Sequence, residues 1–190
     1  MEQRITRERP HHAHGVGSSR SSRAANDAAL ARLVAAHGDA VYRLARSVVH
    51  DSALADDVVQ ETMVKAWRAL PDWGDGEIPR AWLMKVARNT AISLLRTRRD
   101  DVTRPDDLVD VVSSASGTGS SATDKVAMDH LWSAMADLDE TSRSLVVMRE
   151  LAGLSYEEIA DVLDLPLPTV KTRLFRARRA LQVTMKEWRP

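Results

Sequence analysis

The C-terminal fold is decided by residues 155–181, which read SYEEIADVLDLPLPTVKTRLFRARRAL. Ser155 with Glu158 three positions later forms a capping box, which starts a short helix. Pro166 cannot continue that helix, because it lacks an N–H group and clashes with the preceding turn. Pro168 suits the first turn of a second, longer helix. The order of short helix, tight turn and long helix predicts a helix-turn-helix.

The second helix of this unit has a basic outer face. Apolar residues spaced four, three and four positions apart predict its buried side, made of Val170, Leu174, Ala177 and Leu181. Lysine and arginine suit guanine edges and phosphates, and threonine and phenylalanine can contact thymine methyl groups. A basic surface helix in a plain bundle is the alternative, but the absence of acids favours DNA binding. The predicted outer residues are Lys171, Thr172, Phe175, Arg176, Arg178 and Arg179.

Helical periodicity also runs through the first half of the chain. Apolar residues recur at three- and four-residue steps over 28–50 and 53–70 and again after Pro79, with Gly38 interrupting the first pattern. Residues 1–26 are polar and predict a disordered tail, and the acidic, Ser/Gly-rich residues 100–123 predict a flexible linker. We therefore expect an all-α chain with two small helical domains, at 27–99 and 124–190.

The helices of the first domain carry opposite charges. An acidic and amide patch beside Val64 suits a basic protein partner, and it suits a solvated first turn equally well. The next helix has a basic stripe preceded by Trp73 and accompanied by Asn89, which fits a DNA strand with splayed bases. Trp82 is expected in the core. The acidic patch consists of Asp56, Asp57, Gln60 and Glu61, and the basic stripe of Lys85, Arg88, Ile92, Arg96 and Arg99.

Composition excludes several classes of protein. The 190 residues include 27 basic and 27 acidic side chains and no cysteine, so disulfides, thiol nucleophiles and cysteine-bound zinc are excluded. No apolar run approaches the length of a membrane span, and no secretory signal is evident. The chain lacks a phosphate-cradling glycine loop and a His-Glu-x-x-His motif, so we expect no enzyme, metal or cofactor. These features fit the cytoplasm.

Two ordered sets of motifs resemble regions 2 and 4 of bacterial sigma factors. The first set comprises residues 56–62 (DDVVQET), 66–70 (AWRAL), 81–83 (AWL) and 86–89 (VARN). The second comprises residues 153–160 (GLSYEEIA) and 169–178 (TVKTRLFRAR). Two domains without regions 1 and 3 resemble the extracytoplasmic-function, or group IV, sigma factors over residues 28–99 and 125–182.

The resemblance implies partners and residue roles. The acidic patch would bind the β′ clamp helices of core polymerase, region 4 would bind the β flap, and the linker would thread the RNA exit channel. The loop from Trp73 to Pro79 with Arg80 would capture a flipped −10 base, and Lys85, Arg88 and Asn89 would contact the −10 strand. The resemblance also implies an anti-sigma protein as a partner. It implies that the chain has no small-molecule substrate and does not insert into a membrane. The −35 element would be read by Thr169, Lys171, Thr172, Arg173, Phe175, Arg176, Arg178 and Arg179.

Two points stay open in the sequence. Many relatives have a small residue at the position of Pro168, so contacts at the start of the recognition helix are not fixed by the resemblance. A regulator that binds operators alone is the second hypothesis, although the N-terminal helices resemble polymerase and strand contacts more than a ligand pocket. Dependence of DNA binding on core polymerase separates the two.

Overall fold

The computed structural model describes residues 16–73, 77–101 and 130–187. Within these ranges the chain is helical and contains no strand, which confirms the all-α prediction. The elements are α1 (Val16–Val49), α2 (Ser52–Ala69), a 3₁₀ turn (Leu70–Trp73), α3 (Arg80–Asp101), α4 (residues 130–136), α5 (Glu140–Val146), a π-helical turn (Val147–Leu151), α6 (Tyr156–Leu163) and α7 (Leu167–Glu187).

Helix α1 is longer than the sequence pattern predicts. It begins at Val16, so residues 16–26 are helical where a disordered tail was expected. The alanines at positions 24, 25, 28 and 29 favour a helix, and Asp27 accepts a hydrogen bond from Trp67 Nε1 at 3.0 Å, which holds α1 against α2. The helix also continues through Gly38, because one glycine costs only about 1 kcal/mol in a helix that is packed elsewhere. Residues 1–15 and most of the predicted linker lie outside the described residues.

Helices α1, α2 and α3 form the N-terminal unit. Asp51 caps α2 by accepting a hydrogen bond from the Leu54 amide at 2.9 Å. The predicted inner side of α2 is buried, with Val58, Thr62 and Ala66 fully enclosed. Val34 of α1 is 44% exposed, although it lies one heptad before the buried Val41 on the same face of the helix, and Leu33 next to it is buried.

Helices α4 to α7 form the C-terminal unit, which contains the predicted helix-turn-helix. The capping box is complete: Ser155 Oγ accepts from the Glu158 amide at 3.1 Å, and a Glu158 carboxylate oxygen accepts from the Ser155 amide at 2.7 Å. Asp164 ends α6 in the left-handed conformation at φ 52°. In α7, Val170, Leu174 and Ala177 are buried as predicted, whereas Leu181 is only half-buried.

The two units pack against each other through a shared apolar core. Leu44 of α1 and Leu83 of α3 belong to the same buried cluster as Leu145 and Met148. At the edge of this interface the Arg46 guanidinium lies 6.0 Å from the centre of the Trp132 ring. Where the sequence predicts two domains separated by a flexible linker, the described residues form a closed arrangement. None of the described helices has an apolar stretch long enough to cross a bilayer.

Candidate polymerase and DNA interfaces

The acidic patch of α2 faces outward. Asp56, Asp57, Gln60 and Glu61 are all exposed, and Val64 beside them is 41% exposed. Glu61 is held by Lys65, whose Nζ lies 2.8 Å from Oε1. The side chains of Asp57 and Gln60 make no hydrogen bond to any other residue within the described ranges. These two polar groups therefore remain available to a partner, with an exposed valine next to them.

Four of the predicted −10 residues lie on α3, and three of them contact the C-terminal unit. Arg88 forms a bidentate pair with Glu140, with Nε and Nη2 at 3.1 and 2.8 Å from the two carboxylate oxygens. Arg80 Nη1 donates to the Ala152 carbonyl at 2.7 Å. Lys85 Nζ donates to the Asp161 carbonyl at 3.3 Å. The structure thus brings these cations together, and it occupies them with acceptors from the second unit.

An aromatic pair joins the 3₁₀ turn to α3. Trp73 and Trp82 pack edge to face, with ring centres 6.4 Å apart at 72°. Trp73 is 36% exposed, whereas Trp82 is half-buried and packs against the core, which agrees with its predicted core role. Asn89 is exposed on α3. Residues 74–76 of the predicted capture loop are outside the described ranges.

The outer face of α7 divides into an exposed group and a tethered group. The exposed group comprises Lys171, Thr172, Phe175, Arg176 and Arg179, with Phe175 65% exposed. Thr169 is half-buried at the start of the helix. The hydroxyl of Thr172 donates to the Pro168 carbonyl at 2.9 Å, so part of its hydrogen-bonding capacity is used within α7.

The tethered group consists of Arg173 and Arg178. Arg173 Nη1 lies 3.3 Å from Asp139 Oδ1. Arg178 Nε donates to Glu150 Oε1 at 2.8 Å, and its hydrogen bonds to Glu150 and Tyr156 raise its pKa above the ordinary arginine value. These two arginines fasten α7 to the rest of the C-terminal unit, whereas the sequence pattern placed Arg178 on the outer face and the resemblance assigned both arginines to the −35 element.

Sequence reasoning did not identify the acceptors in the C-terminal unit. Glu140 is a first-turn acid of α5, directly after the N-cap Asp139, and this position has an ordinary structural explanation. Gly153 follows the π-helical turn with a φ of 68°, a left-handed conformation that glycine adopts readily at the end of a helix. The Ala152 carbonyl used by Arg80 carries no side-chain signal, so no pattern could have indicated it.

Comparison with known proteins covers both units. The Sigma-70 region 2 family model matches residues 33–100, and the Sigma-70, region 4 family model matches residues 129–181. The RNA polymerase sigma factor CnrH of Cupriavidus metallidurans is 33% identical over an alignment of 168 residues that covers 84% of this chain and 88% of CnrH. The ECF RNA polymerase sigma factor SigL of Mycobacterium tuberculosis is 38% identical over 176 residues, 88% of this chain and 95% of SigL.

Two solved structures share the arrangement of helices. CnrH in complex with the cytosolic domain of CnrY matches with a TM-score of 0.62 and 30% identity, covering 89% of this chain and 95% of CnrH. The sigma factor RpoE of Bartonella quintana, bound to the anti-sigma factor NepR, matches with a TM-score of 0.67 and 28% identity. The match covers 83% of this chain and 97% of the RpoE chain. The resemblance found in the motifs is confirmed, and a sigma factor is supported over a stand-alone regulator. The chain belongs to the extracytoplasmic-function sigma factors of RNA polymerase.

Proposed function

We propose that this sigma factor binds core polymerase through the acidic patch of α2. The observation that carries this proposal is the pair Asp57 and Gln60, exposed and free of side-chain partners among the described residues, beside the exposed Val64. The opposite side of α2 is buried, so the patch has no role in the core. An acidic surface with an apolar neighbour suits a basic protein helix, and the β′ clamp helices are the proposed partner.

The proposed DNA contacts lie on α3 and α7. Arg176 and Arg179 with Lys171 and Phe175 would read the −35 element, because their side chains project from the recognition helix into solvent. Arg80, Lys85, Arg88 and Asn89 would contact the −10 strand next to Trp73. Arg173 and Arg178 would position α7 rather than read bases, since both are engaged by acids of the same unit.

The chain would supply recognition and no chemistry of its own. It would act in the cytoplasm, where the polymerase transcribes, and would need no cofactor. The solved structures of CnrH in complex with the cytosolic domain of CnrY and of RpoE in complex with the anti-sigma factor NepR support an anti-sigma partner for this chain. By analogy, a dedicated anti-sigma protein would hold this chain until a signal releases it.

The experiment for polymerase binding compares two double variants. Asp57→Ala with Gln60→Ala should weaken co-purification with core polymerase by at least about tenfold while the helical circular dichroism stays unchanged, since loss of a few interface contacts costs about 1.4 kcal/mol or more. Glu157→Ala with Gln182→Ala removes one exposed acid and one exposed amide from the C-terminal unit and serves as the control. Full retention of the first double variant would refute the assignment.

A second experiment separates the sigma mechanism from a lone regulator. The free chain should bind duplex promoter DNA weakly, and core polymerase should create sequence-specific binding at physiological salt. A single helix-turn-helix offers an interface of only about 600–1,000 Å², which operator-binding proteins usually double by dimerising. Tight, specific binding by the free chain would reject the sigma mechanism.

A further inference from the structure

We propose that Lys65 limits the affinity of this sigma factor for core polymerase by pairing with Glu61 inside the chain. Lys65 and Glu61 lie one helical turn apart at the C-terminal end of the acidic patch, and Thr90 of α3 contacts the same lysine. The inference rests on the proposed role of the patch in polymerase binding. It adds that the chain itself neutralises part of the surface it offers to the polymerase.

The ammonium group of Lys65 bridges two helices. Its Nζ atom lies 2.8 Å from Glu61 Oε1 on α2, and it donates to Thr90 Oγ1 on α3, also at 2.8 Å. A lysine ammonium has three donors, so these contacts leave one for solvent. Thr90 is only 1% exposed, so its hydroxyl is an acceptor shielded from water. The contact with α3 therefore fixes the position of the ammonium beside Glu61.

The anchor on α3 favours this ion pair over an ordinary surface pair. The side chains of Lys65 and Glu61 are 43% and 46% exposed. An exposed pair four residues apart in a helix contributes little by itself, because two long side chains must be held in one geometry. The hydrogen bond to Thr90 already holds one of them, so less conformational freedom remains to be lost. Glu61 is therefore paired in a larger fraction of molecules than helical spacing alone would give.

The pairing divides the acidic patch into a free part and a neutralised part. Asp57 and Gln60 make no side-chain hydrogen bond within the described ranges, whereas Glu61 is engaged. Asp56, Asp57 and Glu61 together contribute −3, and the +1 of Lys65 leaves −2. A basic partner helix is attracted by the negative potential of the patch, and it is repelled by a cation of its own sign. To contact Glu61, the polymerase must therefore compete with Lys65, which lowers the affinity.

The first test is a double-mutant cycle on the affinity of the full-length chain for core polymerase, measured by biolayer interferometry at about 0.15 M salt. Lys65→Met keeps the length of the side chain and should tighten binding about three- to tenfold, because Glu61 becomes free to bind the partner. Glu61→Gln should weaken binding at least about threefold more in the Lys65→Met background than in the parent. Equal costs of Glu61→Gln in the two backgrounds, or no gain in affinity from Lys65→Met, would overturn the proposal.

Arg68→Met is the matched control for net charge. Arg68 is an exposed cation in the last turn of α2, and it pairs with no carboxylate among the described residues. Its removal changes the charge of the chain by the same amount as Lys65→Met, so a general electrostatic gain appears in both variants. The cost of Glu61→Gln should nevertheless stay at its parent value in the Arg68→Met background. A cost as large as in the Lys65→Met background would show that charge alone sets the affinity, which would overturn the role of the pair.

The second test examines the anchor through two buried threonines. Thr90→Val removes the acceptor for Lys65, and it should raise the cost of Glu61→Gln in the same direction as Lys65→Met does. Thr62→Val is the control, because Thr62 is also fully buried and its hydroxyl has no hydrogen-bond partner among the described residues. It should leave that cost unchanged. If Thr90→Val leaves the cost unchanged as well, Thr90 does not hold the lysine in place and the anchoring role is refuted.

The same binding measurements keep this inference separate from the proposed function. The double variant Asp57→Ala with Gln60→Ala reports on the patch whether or not Lys65 acts on Glu61. Full binding by that variant would refute the proposed function. Weakened binding by that variant, together with equal costs of Glu61→Gln in the parent and in Lys65→Met, would refute only the limiting role of Lys65.

Discussion

Alanine substitutions at Gly153 and Gly38 should change the stability of the protein in opposite directions. Gly153 has φ 68° in the turn before α6. An alanine there must adopt the left-handed region, which costs about 1–2 kcal/mol. Its Cβ would also lie 3.1 Å from Arg80 Nη1, but this is the end of a flexible side chain that can shift. Backbone strain therefore dominates the expected loss.

Gly38 presents the reverse situation inside α1. A Cβ atom there would lie 3.7 Å from Val34 Cγ1, which is an ordinary van der Waals contact. Alanine removes the conformational entropy that glycine loses in a helix, so Gly38→Ala should stabilise by about 0.5–1 kcal/mol. The two variants should consequently differ by about 1.5–3 kcal/mol in the free energy of unfolding.

Urea unfolding followed by far-ultraviolet circular dichroism measures both effects. Gly153→Asn is the control, because asparagine tolerates the left-handed region better than alanine and should lose less stability. If Gly153→Ala proves neutral or stabilising, the turn does not require a left-handed residue. If Gly38→Ala destabilises, α1 is not a continuous helix through that position, and the argument from helix propensity fails.

Three further outcomes are expected. Arg176→Ala should cost about 1–3 kcal/mol of discrimination at the −35 element and leave −10 selectivity unchanged, measured by transcription from promoters mutated in each element separately. Arg178→Ala should instead lower the melting temperature and spare −35 discrimination, since Arg178 pairs with Glu150; the opposite pattern would show that it reads DNA. The Ser155 amide donates to the Glu158 carboxylate and lowers its pKa, so the stability this carboxylate contributes is complete above its ordinary pKa of 4.5 and is lost as the pH falls below it. Glu158→Gln should therefore flatten the acid limb of a plot of stability against pH, and an unchanged limb would count against the capping box.

Local signals predicted most of the fold. The capping box at Ser155, the proline-bounded turn and the spacing of Val170, Leu174 and Ala177 are all encoded within a few residues, and each is confirmed. The start of α1 was misjudged because low apolar content was taken as disorder. Helix propensity and the contact between Asp27 and Trp67 favour a helix there despite the low apolar content.

The candidate site was predictable only in its surface chemistry. Charge and amphipathic spacing placed the exposed groups of α2 and α7 correctly, because solvent exposure follows from helical periodicity. The tethering of Arg178 and the pairing of Arg88 depend on residues 28 and 52 positions away. No periodic pattern connects such distant positions, so these contacts required the three-dimensional structure.

Arg88 and Glu140 belong to one chain, 52 residues apart, and this has a consequence for how the contact responds to dilution. Because both partners are carried by the same molecule, the fraction of molecules in which the pair is formed does not change with protein concentration. Unfolding midpoints measured at low and high protein concentration should therefore agree, as far as this contact determines them.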